Sequence, residues 1–133
     1  MFLFINTAKE NKIEVALFVV DKNKIKILRQ ISSKSLSDSL LILIDRLFKK
    51  EKITADKLKK IFVIKGPGPF TAVRIAIATA NALAYGLKIP VIGVEFEKDK
   101  NIEYLIRHSL NQNKKEKKYV KDFDKKLIFF NIK

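Results

Sequence analysis

The segment Ile61-Phe62-Val63-Ile64-Lys65-Gly66-Pro67-Gly68-Pro69-Phe70-Thr71-Ala72-Val73-Arg74-Ile75-Ala76-Ile77-Ala78-Thr79-Ala80-Asn81-Ala82-Leu83-Ala84-Tyr85-Gly86 decides the architecture. Its first four residues form a short, wholly apolar run, the mark of a buried strand. A Gly-Pro-Gly-Pro turn follows, and Thr71–Tyr85 then reads as a helix with Gly86 as its C-cap. Val91–Val94 is a second short strand. Strand, helix and strand in that succession demand a parallel crossover.

Upstream the pattern differs. Phe2–Thr7 is almost continuously apolar, Ile13–Val20 is β-branched and mostly apolar, and Lys24–Ile31 begins with strict alternation. The turn-like residues between them, Ala8–Lys12 and Asp21–Asn23, permit only antiparallel hairpins, so these strands form a meander. Ser35, Ser37 and Asp38 offer N-cap side chains for a helix over Leu36–Phe48. The resulting order βββαβαβ predicts an α/β fold: a single ribonuclease H-like or actin/Hsp70-like lobe, with a mixed five-stranded sheet and flanking helices. Residues 1–97 make this lobe. Residues 98–133 form a short basic extension, with a helix over Lys98–Leu110, a charged loop over Asn111–Lys121 and an edge strand over Lys126–Ile132.

At 133 residues and 47% hydrophobic composition, the chain suits one domain with one core. The absence of cysteine excludes a disulfide framework, a thiolate zinc site and a cysteine nucleophile, and a lone His108 excludes multi-histidine metal sites. No strictly apolar run approaches membrane-span length and no signal peptide is legible, so a soluble cytoplasmic protein is expected. The net charge of +14 would suit a polyanion, yet it is spread as +8 over residues 1–97 and +6 over 98–133. Lysine outnumbers arginine 24 to 4, whereas specific readout of bases and phosphates favours the arginine fork. The balance is that of a solvated, lysine-biased surface, with Lys114–Lys118 its densest cluster.

Both helices carry excess apolar surface. Arg74, Thr79 and Asn81 are the clearly polar interior positions of the later helix, leaving it no ordinary solvent face. Ala72, Ala76, Ala80 and Ala84 recur every four residues and would let another helix approach closely, while Val73, Ile77 and Leu83 would cover the sheet. In the earlier helix, Leu40–Ile44 are consecutive and cannot all point one way. Leaving four such side chains in water forfeits on the order of 1.5–3 kcal/mol each, a large sum beside a stability of roughly 5–15 kcal/mol. Either the helices cover each other and the C-terminal segment, or they form a dry face for a partner's helices. On the partner reading, Leu36, Leu40, Leu43, Leu47, Ala72, Ile75, Ala76, Thr79, Ala80, Leu83 and Ala84 line that face, and Ala76→Arg or Ala80→Arg abolishes association without unfolding the sheet.

Candidate catalytic features fail one by one. The turn at Lys65–Thr71 lies where glycine-rich loops cradle phosphate, but Pro67 and Pro69 have no N–H and the Gly-Lys-Ser/Thr ending is missing. A rigid turn capped by Thr71 is the plainer reading. Asn6 closes the first strand, where nucleases and kinases of these folds hold a carboxylate, and Asn cannot supply the charge. Glu14, Asp21, Asp38, Asp45, Glu95 and Glu97 show no spacing for a two-metal site and are expected on solvated surfaces. No metal or cofactor is called for. His108 is expected to be a surface histidine. The competing class is a ribonuclease H-like nucleic-acid-binding or nuclease domain, against which Asn6 argues.

Val63–Ala78 resembles the TsaB family, whose motif reads G-R-G-P-G-S-F-T-G-(L/V)-R-I-G. The motif residues are Gly66, Pro67, Gly68, Phe70, Thr71 and Arg74. Ile89–Val94 is similar to the family's IPVVGV, Phe2–Thr7 to its ILAIDT, and Leu40–Phe48 to its LLPLIDELL. The resemblance covers about residues 1–97. It implies a non-catalytic dimerisation subunit that binds a TsaD-like catalytic paralogue through two helices from each subunit. It further implies a TsaE-like ATPase in the complex, indirect contact with tRNA, and a homodimer when the paralogue is absent. Asn6, Pro69, Ala72 and Ala76 stand where the family carries Asp, Ser, Gly and Gly. Thirty-six residues cannot build the second lobe that most members carry, so the chain reads as a minimal or truncated form with no closed ATP cleft.

Overall fold

The computed structural model describes residues 1–34, 40–111 and 120. The elements are β1 (Phe2–Asn6), β2 (Ile13–Asp21), β3 (Lys24–Ser33), α1 (Leu40–Glu51), β4 (Lys60–Gly66), α2 (Phe70–Leu87), β5 (Val91–Glu95) and α3 (Ile102–Asn111), with a 3₁₀ turn over Ala55–Lys57. The sheet order is β3-β2-β1-β4-β5. β1 pairs antiparallel with β2, and β2 with β3, whereas β4 runs parallel to both β1 and β5. The expected meander and crossover are both present. Lys22 and Asn23 form the two-residue β2–β3 turn, both with positive φ (50° and 66°), as the right-handed strand twist prefers.

The crossovers β3–α1–β4 and β4–α2–β5 step across the sheet in the same direction, so right-handedness puts both helices on one face. α1 packs on β2 and β3, α2 on β4, β1 and β5, and the two helices touch. Leu3, Ile5, Val15, Leu17, Ile61 and Val63 are wholly buried in the sheet, and Phe2, Phe18 and Phe62 meet with ring centroids 5.3–6.1 Å apart. α3 packs on β5 and adds Ile102, Leu105 and Ile106 to the same core. The end of that helix is tied back by Arg107, which donates to the Asn23 carbonyl at 2.9 Å.

Several boundaries differ from the sequence reading. Gly86 lies inside α2, and the helix ends at Lys88, whose φ of 57° is left-handed and whose N–H reaches the Ala84 and Tyr85 carbonyls. The cap sits where Ile89 turns towards β5, so local geometry and not the glycine sets the stop. Thr71 is not the N-cap; Pro69 takes that place, accepting from Val73 N at 2.9 Å with no side-chain cap. Glu14 is buried at 1% exposure and so is not on a solvated surface. The N-cap candidates Ser35, Ser37 and Asp38, the edge strand over Lys126–Ile132 and nearly all of the charged loop lie outside the described residues.

Candidate interaction surface

α2 is 18 residues long and carries neither an acidic residue in its first turn nor a basic one in its last. It is also the one described helix long and apolar enough to cross a membrane. Six of its residues are instead packed into the chain's own core, as a crossover helix on a sheet requires. The side that remains outside consists of Thr71, Ile75, Ala78, Ala82 and Tyr85, spaced at helical period with no charge among them. Ile75 is 48% exposed and Tyr85 86%. At the N-terminal end Phe70, Thr71, Arg74, Ile75 and Ala78 line a shallow depression of about 340 Å³, where the Arg74 guanidinium lies 5.1 Å over the Phe70 ring. Beside α2 on the same face, α1 leaves Leu41 (55%) and Ile42 (50%) outside. One turn further along α1 the surface becomes ionic, with Lys49 paired to Asp45 at 2.9 Å.

This placement corrects the sequence-based face. Leu40, Leu43, Leu47, Ala72, Ala76, Ala80 and Ala84 are all buried within the single chain, at 4% exposure or less. The alanine stripe does permit close approach, but of this chain's own sheet and helices. Ala76→Arg would therefore put a guanidinium into the core, contrary to the expectation that the sheet survives it. Thr79 and Leu83 are partly buried, and Ile75 alone of the proposed set is well exposed. Leu36 lies outside the described residues. Leu41, Ile42, Ala78, Ala82 and Tyr85 were missed. For the three on α2 the signal is the 71-75-78-82-85 spacing, which marks a second stripe roughly opposite the alanines.

The motif turn and the end of β1 form one rigid corner. Gly66 has a φ of 111°, a conformation that side chains other than glycine rarely adopt. A Cβ on Gly68 would come within 2.7 Å of Ala8 Cα and 2.8 Å of Ala8 Cβ, so only glycine fits against that backbone. Thr7 Oγ1 donates to the Ala72 carbonyl at 2.7 Å, tying β1 to the first turn of α2. Asn6 is fully buried: its Nδ2 donates to Glu14 Oε1 at 3.2 Å, and its Oδ1 accepts from Ala8 N at 2.9 Å. Gln30 Nε2 donates to Glu14 Oε2 at 2.9 Å, and Lys9 Nζ lies 3.2 Å from Glu14 Oε1. Every group in this cluster serves another member of it, so Asn6 acts as a brace for the β1–β2 turn. Among the described residues no three His, Asp or Glu converge to hold a metal ion. His108 is at the surface as expected, stacked on Tyr104 with centroids 5.6 Å apart and 3.6 Å from Glu97.

An antiparallel meander leading into two right-handed crossovers, with sheet order 3-2-1-4-5 and both crossover helices on one face, defines a single α/β lobe of the ribonuclease H-like, actin/Hsp70 class. A family model described as "TsaD: tRNA N6-adenosine threonylcarbamoyltransferase" matches residues 24–96, more than half of the chain. The chain belongs to this family, within which it is of the TsaB type. The tRNA threonylcarbamoyladenosine biosynthesis protein TsaB of Buchnera aphidicola subsp. Schizaphis graminum is 40% identical over 55 residues, covering 41% of this chain and 26% of the relative. The tRNA N6-adenosine threonylcarbamoyltransferase of Geotalea daltonii is 38% identical over 65 residues, covering 49% of this chain and 19% of that protein. The solved structure of YeaZ from Pseudomonas aeruginosa superimposes with a TM-score of 0.59 at 28% identity, over 71% of this chain and 42% of that one. The chain thus spans less than half the length of these relatives.

Proposed function

We propose that this chain is a non-catalytic interaction subunit in tRNA threonylcarbamoyladenosine biosynthesis, and that the outer sides of α1 and α2 receive a TsaD-type catalytic partner. Relatives named for that pathway support the biosynthetic role, and the coexistence of TsaB-named and TsaD-named relatives supports the choice of partner. The observation that carries the docking role is the uncharged outward stripe of α2, on a protein of net charge +14. Covering Leu41, Ile42, Ile75 and Tyr85 with a partner's apolar helices recovers on the order of 1 kcal/mol for each exposed side chain. Arg74, at the flank of α2, supplies a cation at the rim for a partner's acid. Residues 1–97 are the docking lobe and 98–133 its extension. A TsaE-type ATPase joins the assembly, tRNA is reached through the complex, the setting is the cytoplasm, and the same surface self-associates when the partner is missing.

A nuclease reading draws no support from Glu14, whose carboxylate is engaged by Asn6, Gln30 and Lys9. The test is reconstitution: the TsaD-type enzyme, the ATPase, tRNA and threonylcarbamoyl-adenylate are incubated with and without this chain. Modified adenosine that depends on the chain is the expected result; equal yield in its absence overturns the role.

A further inference from the structure

Asn81 is one of the few polar side chains on α2, and docking does not use it. Its amide grips both backbone groups of one distant residue: Nδ2 donates to the Val120 carbonyl at 2.8 Å, and Val120 N donates to Oδ1 at 2.7 Å. An asparagine used this way replaces a neighbouring strand, satisfying the donor and acceptor of an extended residue at once. The Val120 side chain is 6% exposed and enters the hollow left by the missing side chain of Gly93 on β5. A Cβ at Gly93 would lie 3.1 Å from Val120 Cγ1 and 3.0 Å from Lys65 Cδ. Two hydrogen bonds from α2 and a hole on β5 converge on one residue remote in sequence from both.

We infer that Asn81 and Gly93 form a latch for the C-terminal extension, with Val120 as the bolt. The latch holds Val120 against the flank of α2. Asn81 lies three residues after Ala78 and four before Tyr85, so the latch borders the exposed stripe. In sequence, the pinned residue lies two positions beyond the lysine cluster at Lys114–Lys118.

The test needs no partner, so its failure and a failure of the docking reading are separable. Trypsin can cut after Lys118 and Lys121, on either side of the bolt, only when Val120 is free to enter the protease cleft. In the wild type the Val120 amide is expected to exchange slowly and both sites to resist cleavage. Asn81→Ala is expected to accelerate cleavage at both by about tenfold, the scale of losing two hydrogen bonds. Val120→Gly, which leaves every helix untouched, is expected to do the same through loss of the knob, with cleavage after Lys57 in the lobe unchanged in both variants. Equal rates in all three proteins, or wild-type exchange at Val120 as fast as in an unstructured chain, overturns the latch.

Discussion

Alanine at Gly86 and at Gly68 should move stability in opposite directions. Gly86 sits in the last turn of α2 with no atom of another element within 4 Å of an added Cβ, and its φ is not positive. Alanine there removes backbone freedom from the unfolded chain and improves helix propensity, for a gain of about 0.5–1 kcal/mol. Gly68 is exposed, yet an added Cβ would meet Ala8 Cα at 2.7 Å, Cβ at 2.8 Å and carbonyl oxygen at 3.0 Å. That backbone cannot simply retreat, because Ala8 N is held by Asn6 and the adjacent Thr7 by the Ala72 carbonyl. Overpacking of this kind costs about 1–3 kcal/mol. The two variants should therefore differ by about 1.5–4 kcal/mol, on the order of 10 °C in Tm for a domain of this size. Urea titration followed by circular dichroism, with m unchanged, reads the difference. A loss of 1 kcal/mol or more in Gly86→Ala would mean that Gly86 is a left-handed cap after all, and a neutral Gly68→Ala would mean that the motif turn is not seated on Ala8.

The buried polar corner makes a second contrast. Glu14→Ala strips Asn6, Gln30 and Lys9 of their shared acceptor and should cost about 2–3 kcal/mol in urea melts, whereas Glu14→Gln, which keeps an acceptor for part of the network, should cost less. Adjacent positions on α2 should separate folding from docking: Ala76→Arg, at 0% exposure, should lose the far-ultraviolet and thermal signatures of the folded lobe, while Ile75→Arg should melt within about 1 kcal/mol of the wild type.

The topology was legible because it rests on local constraints. Connections as short as those after β1 and β2 allow only hairpins, and a strand-helix-strand run allows only a crossover. What resisted reading depends on contacts distant in sequence. α2 shows two apolar sides, and nothing local says that the alanine side turns inward while Ile75 and Tyr85 stay out; that choice follows from how closely α2 must approach β4 and α1. Glu14 looks like any charged strand residue until Gln30 of β3 and Lys9 of the preceding turn arrive beside it. Gly86 carries the usual stop signal, but the helix runs on until the chain must turn into β5 at Lys88. The apolar excess of the two helices is legible in the sequence, whereas the structure buries the alanine side of α2 and leaves the opposite stripe outside.

The docking claim rests most directly on binding between this chain and the TsaD-type partner, measured by isothermal titration for the wild type and for Ile75→Arg. A guanidinium forced into an apolar helix contact without a partner carries a penalty of about 3–5 kcal/mol, so affinity should fall at least about a hundredfold while the variant stays folded. Wild-type affinity in a folded Ile75→Arg variant, or no complex with the unmodified chain, would contradict the account.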